Sequence, residues 1–122
     1  MKMLVCRRVS FDAAHFLPGY PGKCQNLHGH TWTVELGVSG EVDPKTGMVV
    51  DFKWLSEALE SVLDSFDHHL LNDVIDNPTA ENIALYIREE FENEWIQSPD
   101  ESVQFEFIRV WETPDSYAEL RA

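Results

Sequence analysis

Two histidines separated by one glycine, His28-Gly29-His30, are the first feature of this sequence that could do chemistry. In an extended strand residues i and i+2 point to the same side, so both imidazoles could bind one ion. His15, on the neighbouring predicted strand, is the available third ligand. Three neutral imidazoles leave the fourth tetrahedral position of a zinc ion open, which is the catalytic arrangement. The HxH spacing alone is weak evidence for a metal site. The alternative is that each histidine binds no metal and is satisfied by one hydrogen bond.

A cysteine lies four residues before the histidine pair. Cys24 follows Lys23 in a loop rich in glycine and proline. A nearby zinc ion would favour its thiolate, the form that can act as a base. Two alternatives stay open. Cys24 could be a small buried hydrophobic residue, which is the default interpretation of Cys6, or a fourth zinc ligand that makes the site structural.

A carboxylate–imidazole pair and a glutamate near a strand end complete the candidates. Asp67 could orient His68 as an acid–base unit, although a histidine after a helix also interacts with the last carbonyls and the helix dipole. Glu112 shares a strand face with Ile108 and Val110, and could bind a guanidine-like ligand edge with both oxygens. Its alternative is a solvated strand end.

The elements that must position these residues form a small α+β fold. Alternation of apolar and polar residues predicts strands over residues 3–14, 28–41, 103–112 and 117–121. A turn over residues 43–47 precedes two amphipathic helices, capped by Asp51 and Thr79. The predicted inner stripes are Leu55, Leu59, Val62, Leu63 and Phe66 in the first helix, and Ile83, Ile87, Phe91 and Trp95 in the second. The order ββααββ places both helices on one face of an antiparallel sheet.

The strand faces follow from the same alternation. In the first strand the odd positions form one face, interrupted by Arg7 and continued by His15. In the third strand Val103, Phe105, Phe107 and Trp111 are expected on one face. Two helices cover only one face of such a sheet, so the remaining face or edges must be covered otherwise. We therefore expect a homo-oligomer that closes the sheet.

Composition narrows the class of partner. The chain has 122 residues, which predicts one domain over residues 1–122. Its net charge of -13, from 22 acidic and 9 basic residues, argues against nucleic acid and for a small ligand. No apolar stretch approaches the roughly 20 residues that span a bilayer, so no membrane partner is expected. The first residues do not resemble a signal peptide, which predicts a cytoplasmic protein with reduced thiols.

Ordered motifs across nearly the whole chain resemble the 6-pyruvoyltetrahydropterin synthase/6-carboxytetrahydropterin synthase family. The matching segments are Phe11-Asp12-Ala13-Ala14-His15, Cys24-Gln25-Asn26-Leu27-His28-Gly29-His30, Gly40-Glu41-Val42-Asp43-Pro44, Gly47-Met48-Val49-Val50-Asp51-Phe52, Asp67-His68-His69-Leu70-Leu71-Asn72, Asn77-Pro78-Thr79-Ala80-Glu81-Asn82 and Val110-Trp111-Glu112-Thr113. The resemblance implies the T-fold, a ββααββ unit that assembles through its sheets into barrels, usually hexamers.

The resemblance also implies a role for each candidate residue. It implies zinc as cofactor, and the implied ligands are His15, His28 and His30. Cys24 matches the proton-abstracting cysteine of the family, and His68, supported by Asp67, matches the histidine of its charge relay. Glu112 matches the relay glutamate that anchors the 2-amino and N3 edge of a pterin.

The implied substrate contacts lie elsewhere in the chain. Thr79 and Glu81 match the segment that lines the pterin pocket in relatives, where Ala80 replaces a threonine of some members. Asn26 stands where many bacterial relatives have arginine. Lys23, with Arg7 or Arg8, is then the candidate for offsetting phosphate charge.

The three-residue gap between Cys24 and His28 is similar to the bacterial 6-carboxytetrahydropterin branch. That branch converts 7,8-dihydroneopterin triphosphate to 6-carboxy-5,6,7,8-tetrahydropterin, releasing triphosphate and acetaldehyde, for queuosine-type 7-deazapurine synthesis. Three alternatives remain. They are 6-pyruvoyltetrahydropterin synthesis by triphosphate elimination, cleavage of dihydroneopterin or a shorter-chain pterin, and a zinc-stabilised pterin-binding module without activity.

Overall fold

A four-stranded antiparallel sheet and two helices make up the fold. The computed structural model describes residues 1–95 and 102–122, and the side chains of all of these except residues 94 and 95. The strands are β1 (Lys2–His15), β2 (His28–Glu41), β3 (Gln104–Thr113) and β4 (Ser116–Arg121), and the helices are α1 (Phe52–Leu63) and α2 (Ala80–Trp95). Short 3₁₀ turns span Lys23–Gln25 and Leu71–Asp73. The strands lie in the order β1-β2-β3-β4, which confirms the predicted ββααββ arrangement.

The first two strands pair along their whole lengths. Lys2 lies opposite Glu41 at one end and His15 opposite His28 at the other. Because directly opposed residues share a face, the odd positions of β1 and the even positions of β2 point to the same side. The helices cover this side, and Trp32 is fully buried there.

Each helix begins at the predicted cap. The Asp51 carboxylate accepts a 2.9 Å hydrogen bond from the backbone N–H of Lys53. The Thr79 hydroxyl oxygen accepts a 3.1 Å bond from the backbone N–H of Asn82. These bonds satisfy backbone donors that the first helical turn leaves unpaired.

The inner stripes are buried as predicted, with one correction to a helix end. The helix α1 stops at Leu63, so Phe66 lies in the following turn, where its backbone N–H donates to the Leu63 carbonyl. Phe66 is nevertheless fully buried, since the turn folds back onto the core. Ile83, Ile87 and Phe91 are fully buried in α2, whereas the predicted core position of Trp95 lies outside the described side chains.

The expectation that four odd residues of the third strand share a face is wrong. Between β2 and β3 the register shifts, because Val38 pairs with Phe105 while Gly37 pairs with Phe107. The extra residue between the two phenylalanines reverses the alternation. Val103 is therefore in the core, whereas the Phe107 ring lies over Gly37 on the opposite face. A Cβ atom at Gly37 would lie 2.1 Å from that ring, so the bulge requires glycine there.

The face away from the helices is charged and aromatic. The Glu35 carboxylate is nearly buried there and lies 3.3 Å from an Arg8 nitrogen and 3.8 Å from an Arg109 nitrogen. It also accepts a hydrogen bond from the indole N–H of Trp111, whose ring centroid lies 4.4 Å from that of Tyr117. The sheet thus presents a polar surface with aromatic rings, rather than a purely apolar one, on its uncovered side.

Neither helix, within the described ranges, is long and apolar enough to cross a bilayer.

Candidate metal centre and catalytic site

Three imidazoles meet where β1 ends and β2 begins. His15 and His28 are directly paired across the hairpin, and His30 follows two residues later on the same face. The ring centroid of His15 lies 4.5 Å from that of His28 and 5.2 Å from that of His30. The ring centroids of His28 and His30 lie 4.8 Å apart. The antiparallel register therefore brings the three predicted ligands together.

Backbone carbonyls fix the tautomer of two of these rings. The Nδ1–H of His15 donates to the Pro78 carbonyl at 2.8 Å, and that of His28 donates to the Asn26 carbonyl at 2.7 Å. A carbonyl oxygen only accepts, so each Nε2 atom is left with its lone pair. Metal-binding histidines are usually oriented by such a bond from the other ring nitrogen.

The Nε2 atoms of His15 and His30 are buried. Within the described part of the chain, the Nε2 atoms of His15 and His30 have no hydrogen-bond partner. Burial holds the pKa of both imidazoles below the ordinary value of 6.5. A buried polar atom without a partner is costly, and a neutral imidazole is the form that binds a cation. The site therefore fits a metal ion.

A carboxylate joins the three imidazoles. The Glu112 Oε1 atom lies 3.2 Å from Nε2 of His30 and 4.0 Å from Nε2 of His15. The potential ligand atoms of all four residues lie within 4.8 Å of one another. This group contains no thiol, since Cys24 lies outside it.

A second cluster holds the predicted acid–base pair. The Asp67 Oδ1 atom lies 2.9 Å from Nδ1 of His68 and also accepts a 3.1 Å hydrogen bond from the backbone N–H of Asp12. The backbone N–H of His68 donates a 2.6 Å hydrogen bond to the backbone carbonyl of Asp12. His68 has a φ of 60°, a left-handed conformation that is uncommon for residues other than glycine. Hydrogen bonds to the Asp12 backbone in β1 thus hold His68 in a backbone conformation that residues other than glycine seldom adopt.

Sequence reasoning missed the support for this pair. Thr31 donates a 2.5 Å hydrogen bond to Oδ1 of Asp12, and the carboxylates of Asp12 and Asp67 and the His68 ring form one group within 4.8 Å. The pairing of His15 with His28 across the hairpin could have revealed this support from the sequence. If His15 faces His28, counting three residues inward on each strand places Asp12 opposite Thr31.

Two hollows flank the start of β2. One, of about 620 Å³, is lined by Glu112, Trp111 and Arg8 among others. The other, of about 580 Å³, is lined by Asp12 and His68 among others. Gly29, His30 and Thr31 line both hollows. A ligand at His30 would therefore lie between the Glu112 carboxylate and the Asp67–His68 pair.

Four of the predicted site residues are not brought to this centre within the chain. Cys24 and Lys23 lie in the 3₁₀ turn, where the Cys24 carbonyl accepts a 2.7 Å bond from the Leu17 N–H. Thr79 uses its hydroxyl as a helix cap, and Glu81 is exposed in the first turn of α2. None of the four lines either hollow.

The fold and the site define a class: an α+β protein with a histidine-rich cluster that fits a metal ion at one end of a four-stranded sheet. A family model described as 6-pyruvoyl tetrahydropterin synthase matches residues 4–122. The chain belongs to this family.

Similar proteins agree over the full length. The chain is 39% identical over 120 residues to a putative 6-carboxy-5,6,7,8-tetrahydropterin synthase of Archaeoglobus fulgidus, covering 98% of this chain and 96% of that one. It is 38% identical over 120 residues to a dihydroneopterin monophosphate aldolase of Pyrococcus furiosus, covering 98% of each. A solved 6-pyruvoyl tetrahydropterin synthase of Caenorhabditis elegans superposes with a TM-score of 0.86 at 29% identity, covering 100% of this chain and 96% of that chain. The predicted T-fold is confirmed.

Proposed function

We propose that this protein converts 7,8-dihydroneopterin triphosphate to 6-carboxy-5,6,7,8-tetrahydropterin, releasing triphosphate and acetaldehyde, in queuosine-type 7-deazapurine synthesis. The observation that carries the proposal is the convergence of three imidazoles and Glu112, in which His30 lines both the hollow at Glu112 and the hollow at His68. The name of the Archaeoglobus fulgidus relative supports this reaction.

In this proposal the resident ion is zinc, held by His15, His28 and His30. The ligand set is nitrogen-rich, which suits zinc better than magnesium or calcium, since those prefer oxygen ligands. When bound, the ion supplies Lewis acidity that lowers the cost of enolising the substrate side chain.

The protein's own groups position the substrate and move its protons. Glu112 binds the 2-amino and N3 edge of the pterin with its two carboxylate oxygens, which fixes the ring beside the metal. Asp67 accepts from His68 and keeps that ring at the hollow it lines with Asp12 and His30, so that His68 gives or takes one proton. Cys24 moves the other proton.

The position of Cys24 is relevant to which subunit of an oligomer supplies the cysteine of each site. Cys24 lies outside the metal cluster and lines neither hollow. We propose that the protein is a homo-oligomer, a hexamer by family resemblance, in which Cys24 and His68 reach one site from different subunits. Thr79 and Glu81 would then contact the pterin, and Lys23 its phosphates, across the same boundary.

A second candidate function is cleavage of a dihydroneopterin phosphate. The Pyrococcus furiosus relative, named an aldolase for the monophosphate, favours it at nearly the same identity. A retro-aldol reaction uses the same Lewis acid and proton-moving groups, but it releases a phosphorylated two-carbon aldehyde and leaves a hydroxymethyl pterin.

Product analysis distinguishes these functions. The zinc-loaded protein is incubated separately with 7,8-dihydroneopterin triphosphate, its monophosphate and the unphosphorylated pterin, and the products are identified by mass spectrometry. We expect 6-carboxytetrahydropterin and acetaldehyde from the triphosphate. A 6-pyruvoyl product, or a hydroxymethyl pterin, would assign the chain to another reaction of the family. Binding without any product would leave a pterin-binding module.

A further inference from the structure

The Glu112 carboxylate lies close enough to the three imidazoles to reach a fourth ligand position of the metal. Zinc–ligand bonds of about 2.0 to 2.1 Å place neighbouring atoms of a tetrahedron about 3.3 to 3.4 Å apart. The 3.2 Å separation between Glu112 Oε1 and His30 Nε2 matches such an edge. The 4.0 Å separation between Glu112 Oε1 and His15 Nε2 is longer, and a small movement of the Glu112 side chain would close the difference.

A cation between Glu112 and the imidazoles would stabilise this close approach of a carboxylate to nitrogen lone pairs. The Nδ1–H of His15 donates to the Pro78 carbonyl, so its Nε2 lone pair points towards the same space as the carboxylate. Within the described residues, the ion-pair contacts of Glu112 are with His15 and His30 alone. No lysine or arginine of the described chain therefore balances this carboxylate by a direct contact.

The same carboxylate also faces the larger hollow. Glu112 lines it together with Trp111 and His30, and its side chain is 28% exposed. A glutamate side chain has three rotatable torsions, so its oxygens can reach the ion or a ring in the hollow by rotation alone. The two positions exclude each other, because a pterin edge held by both oxygens leaves neither for the metal.

We propose that Glu112 is an exchangeable ligand: it completes the coordination of the ion held by His15, His28 and His30 when no substrate is bound, and leaves the ion to hold the pterin ring when substrate arrives. The inference rests on the proposed function, and adds to it a closed resting state of the metal site. Opening of the fourth coordination position is then coupled to recognition of the pterin. Until substrate binds, Glu112 keeps other ligands from the ion.

The direct test is a crystal structure of the zinc-loaded wild-type protein without substrate and with 7,8-dihydroneopterin. We expect a Glu112 oxygen within about 2.0 to 2.2 Å of zinc in the first structure, and a Glu112 carboxylate turned to the pterin edge in the second. An open or water-filled fourth position in the substrate-free structure, with Glu112 directed elsewhere, overturns the inference.

Metal affinity supplies an independent test in solution. Cobalt(II) binding to the metal-stripped protein is measured by its visible absorption for wild type, Glu112→Gln and Asp115→Asn, an exposed carboxylate in the turn of the same hairpin. We expect Glu112→Gln to weaken binding about 10-fold or more and to alter the spectrum, with Asp115→Asn unchanged. Equal affinity and spectra in all three proteins overturn the inference but leave a three-histidine site intact. Failure of the wild-type protein to bind cobalt or zinc overturns both this inference and the metal-dependent function.

Discussion

The imidazole of His15 donates a 2.8 Å hydrogen bond to the carbonyl of Pro78, 63 residues further along the chain. This bond ties the end of β1 to the segment that begins α2, and it leaves the Nε2 atom free within the cluster of His15, His28, His30 and Glu112. The ring is fully buried, and burial keeps the pKa of His15 below its ordinary value, which favours the neutral imidazole that a metal ion needs as a ligand. The tautomer of a candidate ligand is thus set by the packing of a distant loop.

Loss of one imidazole should remove the metal. We expect one zinc ion per chain in the wild-type protein and an affinity lower by more than about 100-fold in His28→Ala, since loss of an outer hydrogen-bond partner alone costs about 10- to 100-fold. His69→Ala is the matched control, because His69 lies outside the four-residue metal group. Metal analysis of the purified proteins decides the matter, and full zinc content in His28→Ala would contradict the ligand assignment.

The two cysteines should differ in their effect on turnover. Replacing Cys24 by alanine should preserve zinc content and lower turnover by about 100-fold or more, the usual worth of a proton-transferring group. Cys6→Ala should preserve both, since Cys6 contacts Glu35 on the sheet face opposite the helices. Zinc content and steady-state rates are measured side by side. If Cys24→Ala loses zinc together with activity, Cys24 is a ligand, and near-normal turnover would remove it from the mechanism.

Assembly should bring catalytic groups together from different chains. We expect sedimentation of the purified protein as a hexamer, and partial recovery of activity when inactive Cys24→Ala and His68→Ala proteins are dissociated, mixed and reassembled. Each variant reassembled with itself is the control and should stay inactive. A fully active monomer would contradict both expectations, whereas a hexamer without complementation would contradict only the shared site.

The bulge between β2 and β3 should make Gly37 intolerant of a side chain. Because a Cβ atom there would lie 2.1 Å from the Phe107 ring, we expect Gly37→Ala to lower the free energy of unfolding by about 1 to 3 kcal/mol. Adding Phe107→Ala should recover part of that loss, since the clashing ring is gone. Urea unfolding of the two single variants and the double variant measures the coupling, and strictly additive losses would show that the ring is not the obstacle.

Acid should weaken the β3–β4 hairpin through Glu119. Hydrogen bonds from Arg121 and Arg109 hold the pKa of this carboxyl below its ordinary value of 4.5. A carboxyl with a lowered folded-state pKa stabilises the protein fully above its unfolded pKa, and this contribution is lost as pH falls through the folded pKa.

The measurement is the denaturant midpoint of wild type, Glu119→Gln and Glu60→Gln between about pH 6 and pH 3. Wild type and Glu60→Gln, which replaces an exposed residue of α1, should lose stability together on acidification. Glu119→Gln should start lower and fall less. Parallel curves for all three proteins would show that these ion pairs do not contribute.

Much of the fold was predictable because the signals are local. The bounds of β2, the Asp51 and Thr79 caps and the buried helix stripes follow from periodicity and from side chains that bond their own neighbouring backbone. The faces of β3 were mispredicted beyond Phe105, because a bulge depends on the partner strand: Phe107 lies over Gly37, a residue 70 positions away. Alternation within one strand carries no record of an extra residue opposite its neighbour.

By itself the sequence determined which residues could meet at the centre. The HxH spacing puts His28 and His30 on one strand face, and hairpin pairing brings His15 beside them. Only the tertiary structure decided how these groups are presented. The Pro78 carbonyl selects the His15 tautomer, and the Asp12 backbone holds the Asp67–His68 pair. Such contacts join elements far apart in the chain, and their geometry depends on how the helices and loops pack against the sheet rather than on any local residue pattern.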